Sequence, residues 1–162
     1  MRLTIDPHHL ATLHHHLEAT YPQEGCGLML GTLENDTLQI HQIIPTTNVW
    51  NHPEEADRSL RDRYEIDPRE MLEAMKTARL NNLEIVGIYH SHPDHPASPS
   101  ECDRSLAWLN YIYMICSVDS GSVIATTAWQ LDEHQQFQLV KIITELNGCT
   151  GFHSISGSNS CV

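Results

Sequence analysis

Apolar residues recur along this chain with two different periods, and the changes between them predict its elements. Leu10, Leu13 and Leu17 fall three and four residues apart behind Asp6-Pro7, a capping aspartate and a first-turn proline, so the spacing predicts a helix over 6–20. It ends before Tyr21-Pro22. The runs GCGLMLGTL and TLQIHQII flank the turn residues Glu34-Asn35-Asp36 and predict an antiparallel hairpin. Asp67-Pro68 repeats the helix opening, with Met71, Leu72, Met75 and Ala78 as the apolar face of a helix that ends near Asn81-Asn82. LEIVGIYH is apolar at successive positions, as a strand buried on both faces is. Ser100 opens a third helix carrying Leu106, Ala107 and Leu109, and YIYMICSV, SVIATTAWQL and FQLVKII read as three further strands. Residues 47–63 keep no period and read as a long surface loop near the candidate site. The order predicts an α/β domain over 1–146, a sheet layered with helices, followed by a flexible Gly/Ser-rich tail over 147–162.

Composition narrows the class. A chain of 162 residues, 40% of them hydrophobic, is long enough for one domain with a real core and too short for two. Its 21 acidic and 9 basic residues give a formal charge of -12, with no cluster of Lys and Arg to meet phosphates. Nucleic acid is therefore excluded as a partner, and a neutral or basic protein is favoured. The opening MRLTIDPHHL lacks the apolar core of a signal peptide, and no stretch approaches the roughly 18 apolar residues of a membrane span, so a cytoplasmic protein without membrane contact is expected. Cys26, Cys102, Cys116, Cys149 and Cys161 contain no CxxC pair and read as reduced thiols.

Candidate chemistry concentrates where the buried strand ends, in GIYHSHPDHPASPSECD. Side chains alternate along a strand, so His90 and His92 point to one face and can share an ion while Ser91 faces away. Catalytic zinc takes three protein ligands and keeps a fourth position open. Pro93, Pro96 and Pro99 stiffen the loop that leads to Asp103. If Ser100 caps the third helix, Asp103 lies in the first turn, where the dipole favours a carboxylate, and can reach back as the third ligand. Each piece has a plainer reading: Ser-x-x-acid is a capping box, and a single His-x-His at a strand end need bind nothing. Their conjunction is far more specific.

Together these residues resemble the JAMM signature of the MPN (Mov34/PAD-1) family of zinc metallopeptidases, an upstream Glu followed by His-x-His-Pro and then Ser-x-x-Asp. Here His90-Ser91-His92-Pro93 is followed, after the seven residues Pro93 to Pro99, by Ser100-Glu101-Cys102-Asp103. The upstream Glu corresponds to Glu24 in QEGCGLMLG, which spacing alone does not choose over Glu34 or Glu84. The resemblance implies the MPN (JAMM) domain, a central mixed, largely antiparallel β-sheet layered with α-helices, cytidine-deaminase-like. It also implies one Zn2+ held by His90, His92 and Asp103, with Glu24 as general base and Ser100 as donor to the oxyanion. The implied substrate, for the small bacterial and archaeal members, is the Gly-Gly tail of a ubiquitin-fold partner, a sulfur carrier or ubiquitin-like modifier. Such a tail has no side chains and could lie along a sheet edge by strand addition.

Other readings stay open beside it. A non-haem iron oxygenase could use His92 and Asp94 with His134 or His153, and a ligand-bearing MPN domain could serve as a non-catalytic scaffold. Zinc deaminases require His-x-Glu and Pro-Cys-x-x-Cys, which are missing. His8, His9, His14, His15 and His16 lie on several sides of the first helix, so no second metal site is expected there. His95 belongs to the loop or supports the ligands, Cys26 is a core thiol with no base beside it, and Glu54, Glu55, Asp57 and Arg58 form a solvated run.

Overall fold

In the computed structural model, which describes residues 1–145, the chain runs β1 (Arg2–Ile5), α1 (Pro7–Thr20), β2 (Cys26–Glu34), β3 (Thr37–Thr46), α2 (Pro68–Leu80), β4 (Glu84–Pro93), α3 (Glu101–Leu106), β5 (Ile112–Asp119), β6 (Ser122–Leu131) and β7 (Phe137–Thr144). The tail expected at 147–162, with Cys149, His153 and Cys161, lies outside the described residues. The strands close into a barrel in the order β1-β3-β2-β4-β5-β6-β7. The β2·β3, β2·β4, β5·β6 and β6·β7 pairs are antiparallel, whereas β4·β5, β1·β3 and β1·β7 are parallel. The sheet is therefore mixed and largely antiparallel, as the MPN resemblance implies. Its closure is new. RLTI, too short to declare a period, is the strand that joins β3 to β7. Closure is partial along the strands: β1 meets only Thr37–Ile40 of β3 and β7 meets only Ala128–Leu131 of β6, so Ser122–Thr127 of β6 and the second half of β3 have one strand neighbour each among the described residues.

Helix α1 starts where the sequence places it, with the Asp6 side chain accepting from the His8 amide, and it buries Leu13 and Leu17 against a core containing Leu3, Ile5, Met29, Tyr89 and Met114. Helix α2 also begins on its Asp67 cap, but its buried positions are Ala74 and Ala78, while Leu72 and Met75 stay exposed. Small side chains on that face let the helix lie close to the barrel. The third helix is shorter than expected: it ends at Leu106, so Ala107 and Leu109 fall outside it. Ala107 is already extended, because the chain must enter β5, whose Ile112 pairs with Gly87 of β4. β4 is central, antiparallel to β2 and parallel to β5, and both of its faces are buried over its second half. That position carries its C-terminal end, with both histidines, into the protein interior.

Candidate active site

The alternation of β4 brings His90 and His92 to one face, where the His90 Nε2 and His92 Nε2 atoms stand 3.1 Å apart. Asp103 completes the group, with Oδ1 3.1 Å from His90 Nε2 and Oδ2 3.4 Å from His92 Nε2. All three residues are buried, and one ligand atom from each lies within 4.8 Å of the others. Two imidazoles and a carboxylate so close together fit a divalent ion of borderline softness, and they could hold one. Burial pushes the His90 pKa down, against the pull of Asp103. For Asp103, burial acts upward, but His90 and the hydrogen bonds from His90, His92 and Ser100 hold the carboxyl well below its usual range. Burial also opposes charge on His92, yet its bond to Asp103 raises the pKa overall. The His92 ring is further oriented by Nδ1, 3.0 Å from the Pro96 carbonyl; a carbonyl can only accept, so Nδ1 carries the proton and Nε2 turns toward the group.

The loop after β4 is tied down along its length. The Asp94 amide donates to Val118 O (2.8 Å), Ser117 Oγ donates to His95 O (2.7 Å), and Thr127 Oγ1 donates to Ala97 O (2.5 Å). It delivers Ser100 as the N-cap of α3, and the capping box is complete: the Asp103 amide donates to Ser100 Oγ at 3.1 Å, and the Ser100 amide donates to Asp103 Oδ2 at 2.6 Å. The structural reading of Ser-x-x-Asp is thus realised, and the cap is what aims the carboxylate at the histidines. The Ser100 hydroxyl also donates to Asp103 Oδ2 at 2.6 Å, so its proton points at the carboxylate.

Glu24 enters the same corner from β2. Cys26 pairs with His90, and Gly25 exchanges bonds with Ser91, its amide donating to Ser91 Oγ at 2.9 Å and its carbonyl accepting from the Ser91 amide at 3.0 Å. One step further along this antiparallel register, Glu24 comes against His92. A Cβ on Gly25 would meet Thr20 Oγ1 at 2.4 Å, so glycine is what lets the strand start lie against α1. Glu24 is buried, and burial pushes its pKa up to about 8, with His92 pulling down and Asp103 pushing up. Glu34 and Glu84 are exposed, and Glu84 pairs with Gly31 at the far end of β4. Of these three acids, Glu24 is the one that lies in the corner with His92 and Asp103.

The iron alternative does not assemble among the described residues. Asp94 is exposed, bonded to the Tyr21 hydroxyl and the Ser120 amide, and His134 sits in the exposed turn before β7. His95 is an exposed loop residue. Cys26 is fully buried with its thiol pushed up to about 12, and Cys26, Cys102 and Cys116 are free thiols. Sequence reasoning missed two neighbours of the site. Tyr64 stacks on His90, centroids 4.6 Å apart and planes 26° from parallel. Asn48 donates from Nδ2 to the carbonyls of Glu24 and Arg63, both at 2.9 Å. The signal was the aperiodic stretch 47–63, expected to run over the surface near the site, with neither residue singled out. It does so beside the site, extending past 63 to the bridge between Asn48 and Ile66. Next to Asp103 a cleft of about 250 Å³ opens, lined by Tyr64, Ile66, Met71, Ile88, Leu106 and Trp108 among others.

Comparison with known proteins points the same way. Residues 6–132 match the family described as prokaryotic homologs of the JAB domain. The chain is 32% identical over 119 residues to a desampylase of Haloferax volcanii, covering 73% of this chain and 78% of that protein. It is 34% identical over 125 residues to a probable TtuB-protein conjugate cleaving protease of Thermus thermophilus, covering 77% and 73%. A second desampylase, from Pyrococcus furiosus, is 36% identical over 123 residues, covering 75% and 76%. Among solved structures, a Desulfitobacterium hafniense protein superposes with a TM-score of 0.74 at 26% identity, covering 90% of this chain and 95% of that one. A Salinibacter ruber protein gives 0.66 at 32%, covering 90% and 92%.

Proposed function

This chain belongs to the family of prokaryotic homologs of the JAB domain, the small JAMM/MPN type, and from that premise we propose that it is a zinc isopeptidase acting after the Gly-Gly tail of a ubiquitin-fold protein. Relatives carrying the names desampylase and conjugate cleaving protease make it a hydrolase of protein conjugates. The finer reading rests on one observation above all: a buried His90, His92 and Asp103 group with a buried acid, Glu24, directly beside it.

His90, His92 and Asp103 would hold the ion. Bound there, zinc would polarise the scissile carbonyl and lower the pKa of an attacking water to about 7. Glu24 is suited to receive that water's proton and pass it to the departing amine, since its affinity for protons, raised to about 8, places it near the pH at which both transfers must run. Burial keeps bulk water from competing. Ser100 would donate to the oxygen that gains charge, which asks only that its O–H rotate away from Asp103 Oδ2. The substrate tail would lie in the cleft between Tyr64 and Trp108, which opens beside Asp103. Residues without side chains thread such a passage most easily.

The test uses a ubiquitin-fold carrier with cysteine or a lysine amine linked after Gly-Gly, and follows the released amine by mass spectrometry. Cleavage at that bond, stopped by a chelator, is expected. Glu24→Gln should keep the metal and lose about 10²- to 10⁴-fold in rate. Equal cleavage of unrelated unfolded peptides would make the protein a general peptidase, and a Glu24→Gln variant at the parent rate would remove Glu24 as the base.

A further inference from the structure

The two histidines of the group are supported in different ways. His92 has a carbonyl partner on the nitrogen that faces away from the group, the Pro96 oxygen at 3.0 Å. His90 has none: its Nδ1 is buried without a hydrogen-bond partner. Metal-binding histidines ordinarily give that second nitrogen to an acceptor, which fixes both the tautomer and the direction of the ring. At His90 the ring is instead covered by Tyr64, centroids 4.6 Å apart and planes 26° from parallel, while the His92 ring is tilted 52° at 4.9 Å. A flat neighbour resists rotation of the imidazole out of its plane, the motion that would swing Nε2 off the group.

Tyr64 is itself held. Asn48 Nδ2 donates to Arg63 O at 2.9 Å, and Asn48 Oδ1 accepts from the Glu65 amide at 3.1 Å, so one side chain grips the backbone on either side of Tyr64. The same Nδ2 donates to Glu24 O at 2.9 Å, and the Glu24 amide donates to Leu60 O at 2.7 Å. The loop is thus fastened to the residue proposed as general base. Tyr64 borders both the apolar cleft and the small polar recess that contains Glu24, Ser100 and Asp103.

We propose that Tyr64 is a positioning residue for His90, its ring replacing the missing hydrogen bond on Nδ1, with Asn48 holding Tyr64 in register with Glu24. The inference rests on the metal-centre reading of the preceding subsection and names the part of the chain that makes the centre accurate. The plane of the ring matters and the hydroxyl does not.

The experiment measures zinc affinity by competition with a chromophoric chelator for the parent, Tyr64→Phe and Tyr64→Leu, alongside the melting temperature of each metal-free protein. Tyr64→Phe should bind zinc within about twofold of the parent, whereas Tyr64→Leu should bind about 10- to 100-fold more weakly, the range found when outer partners of metal ligands are removed. If the Leu variant does not fold, Tyr64→Met, of similar bulk but without a plane, takes its place. A purely structural role would lower the metal-free melting temperature and leave the affinity of the folded protein unchanged. Parent-like zinc affinity in Tyr64→Leu, or equal loss in Tyr64→Phe, overturns the proposal while leaving the metal centre standing. A parent that binds no zinc overturns both.

Discussion

Helix α1 and the end of β4 are the two histidine-rich regions of this chain, and they have opposite fates. His8, His9, His14, His15 and His16 are set around a helix with 3.6 residues per turn, so neighbours in sequence diverge in space. His90 and His92, two apart on a strand, converge. On α1, His14 Nε2 meets Thr126 Oγ1 at 2.8 Å and His16 Nδ1 meets the Tyr89 hydroxyl at 2.9 Å, which are bonds of a helix to the barrel beneath it. Among the described residues no α1 histidine joins a group of three potential ligands. The number of imidazoles therefore says little about metal binding. Convergence with a third, acidic donor in a buried corner is what separates the two regions.

The strongest way to break this comparison is to remove one ligand. His92→Ala and Asp103→Ala should each lose the single zinc expected per chain, and hydrolysis with it, because two remaining donors neither hold the ion nor define its geometry. Metal analysis of the freshly purified variants checks this. Zinc retained in both would move the site elsewhere, with α1 the first place to look, and stoichiometric iron in the parent would change the chemistry itself.

The same contrast explains what was legible in the sequence. Six of the seven strands and all three helices announce themselves by period or cap, and so does the grouping of His90, His92 and Asp103, because His-x-His and Ser-x-x-Asp are local patterns whose geometry follows from strand alternation and the first helical turn. Glu24 needed the family pattern, since its place opposite His92 comes from pairing between β2 and β4, which no local spacing encodes. Tyr64 and Asn48 were invisible: they sit in a loop without period, and their contacts reach across fifteen or more positions of chain. The exposed Leu72 and Met75 misled for a related reason. Apolar spacing marked a helix correctly, but the face that packs was chosen by the small size of Ala74 and Ala78, which a hydrophobicity pattern ranks below leucine.

A second effect sharpens the comparison by asking what each region does for stability. Glu24 has a folded pKa of about 8, above the ordinary 4.5. Between those values the folded protein keeps a proton that the unfolded chain has released, so the Glu24 contribution to stability falls as pH rises from about 4.5 to 8 and is fully unfavourable above 8. Glu24→Gln has no proton to lose. In metal-free protein its advantage over the parent should be small near pH 5 and grow to the order of 2 to 4 kcal/mol by pH 8, at about 1.4 kcal/mol for each pH unit by which the pKa is raised. Chemical denaturation across that range measures it. An advantage that does not change with pH would mean that Glu24 is not buried as an acid.

The smallest expected effect belongs to α1, where the comparison predicts a change in stability and none in metal. His16 is half-buried against Tyr89, edge to face at 5.9 Å, and its ring is the hydrogen-bond partner of a phenol whose side chain is fully buried. Tyr89 has little freedom to find another partner: it packs against Gly27, where an added Cβ would fall 2.3 Å from the ring. Removing the imidazole with His16→Ala leaves the hydroxyl to whatever water can enter, at a cost of about 1 to 3 kcal/mol. His14→Ala, whose partner Thr126 is itself only partly buried and also within reach of Cys116 Sγ, should cost less, about 0.5 to 1.5 kcal/mol. Both variants should bind zinc and cleave conjugates as the parent does. Denaturation midpoints together with zinc content decide the matter: a loss of zinc in His16→Ala at unchanged stability would erase the distinction between a helix that uses its histidines to dock and a strand that uses them to bind.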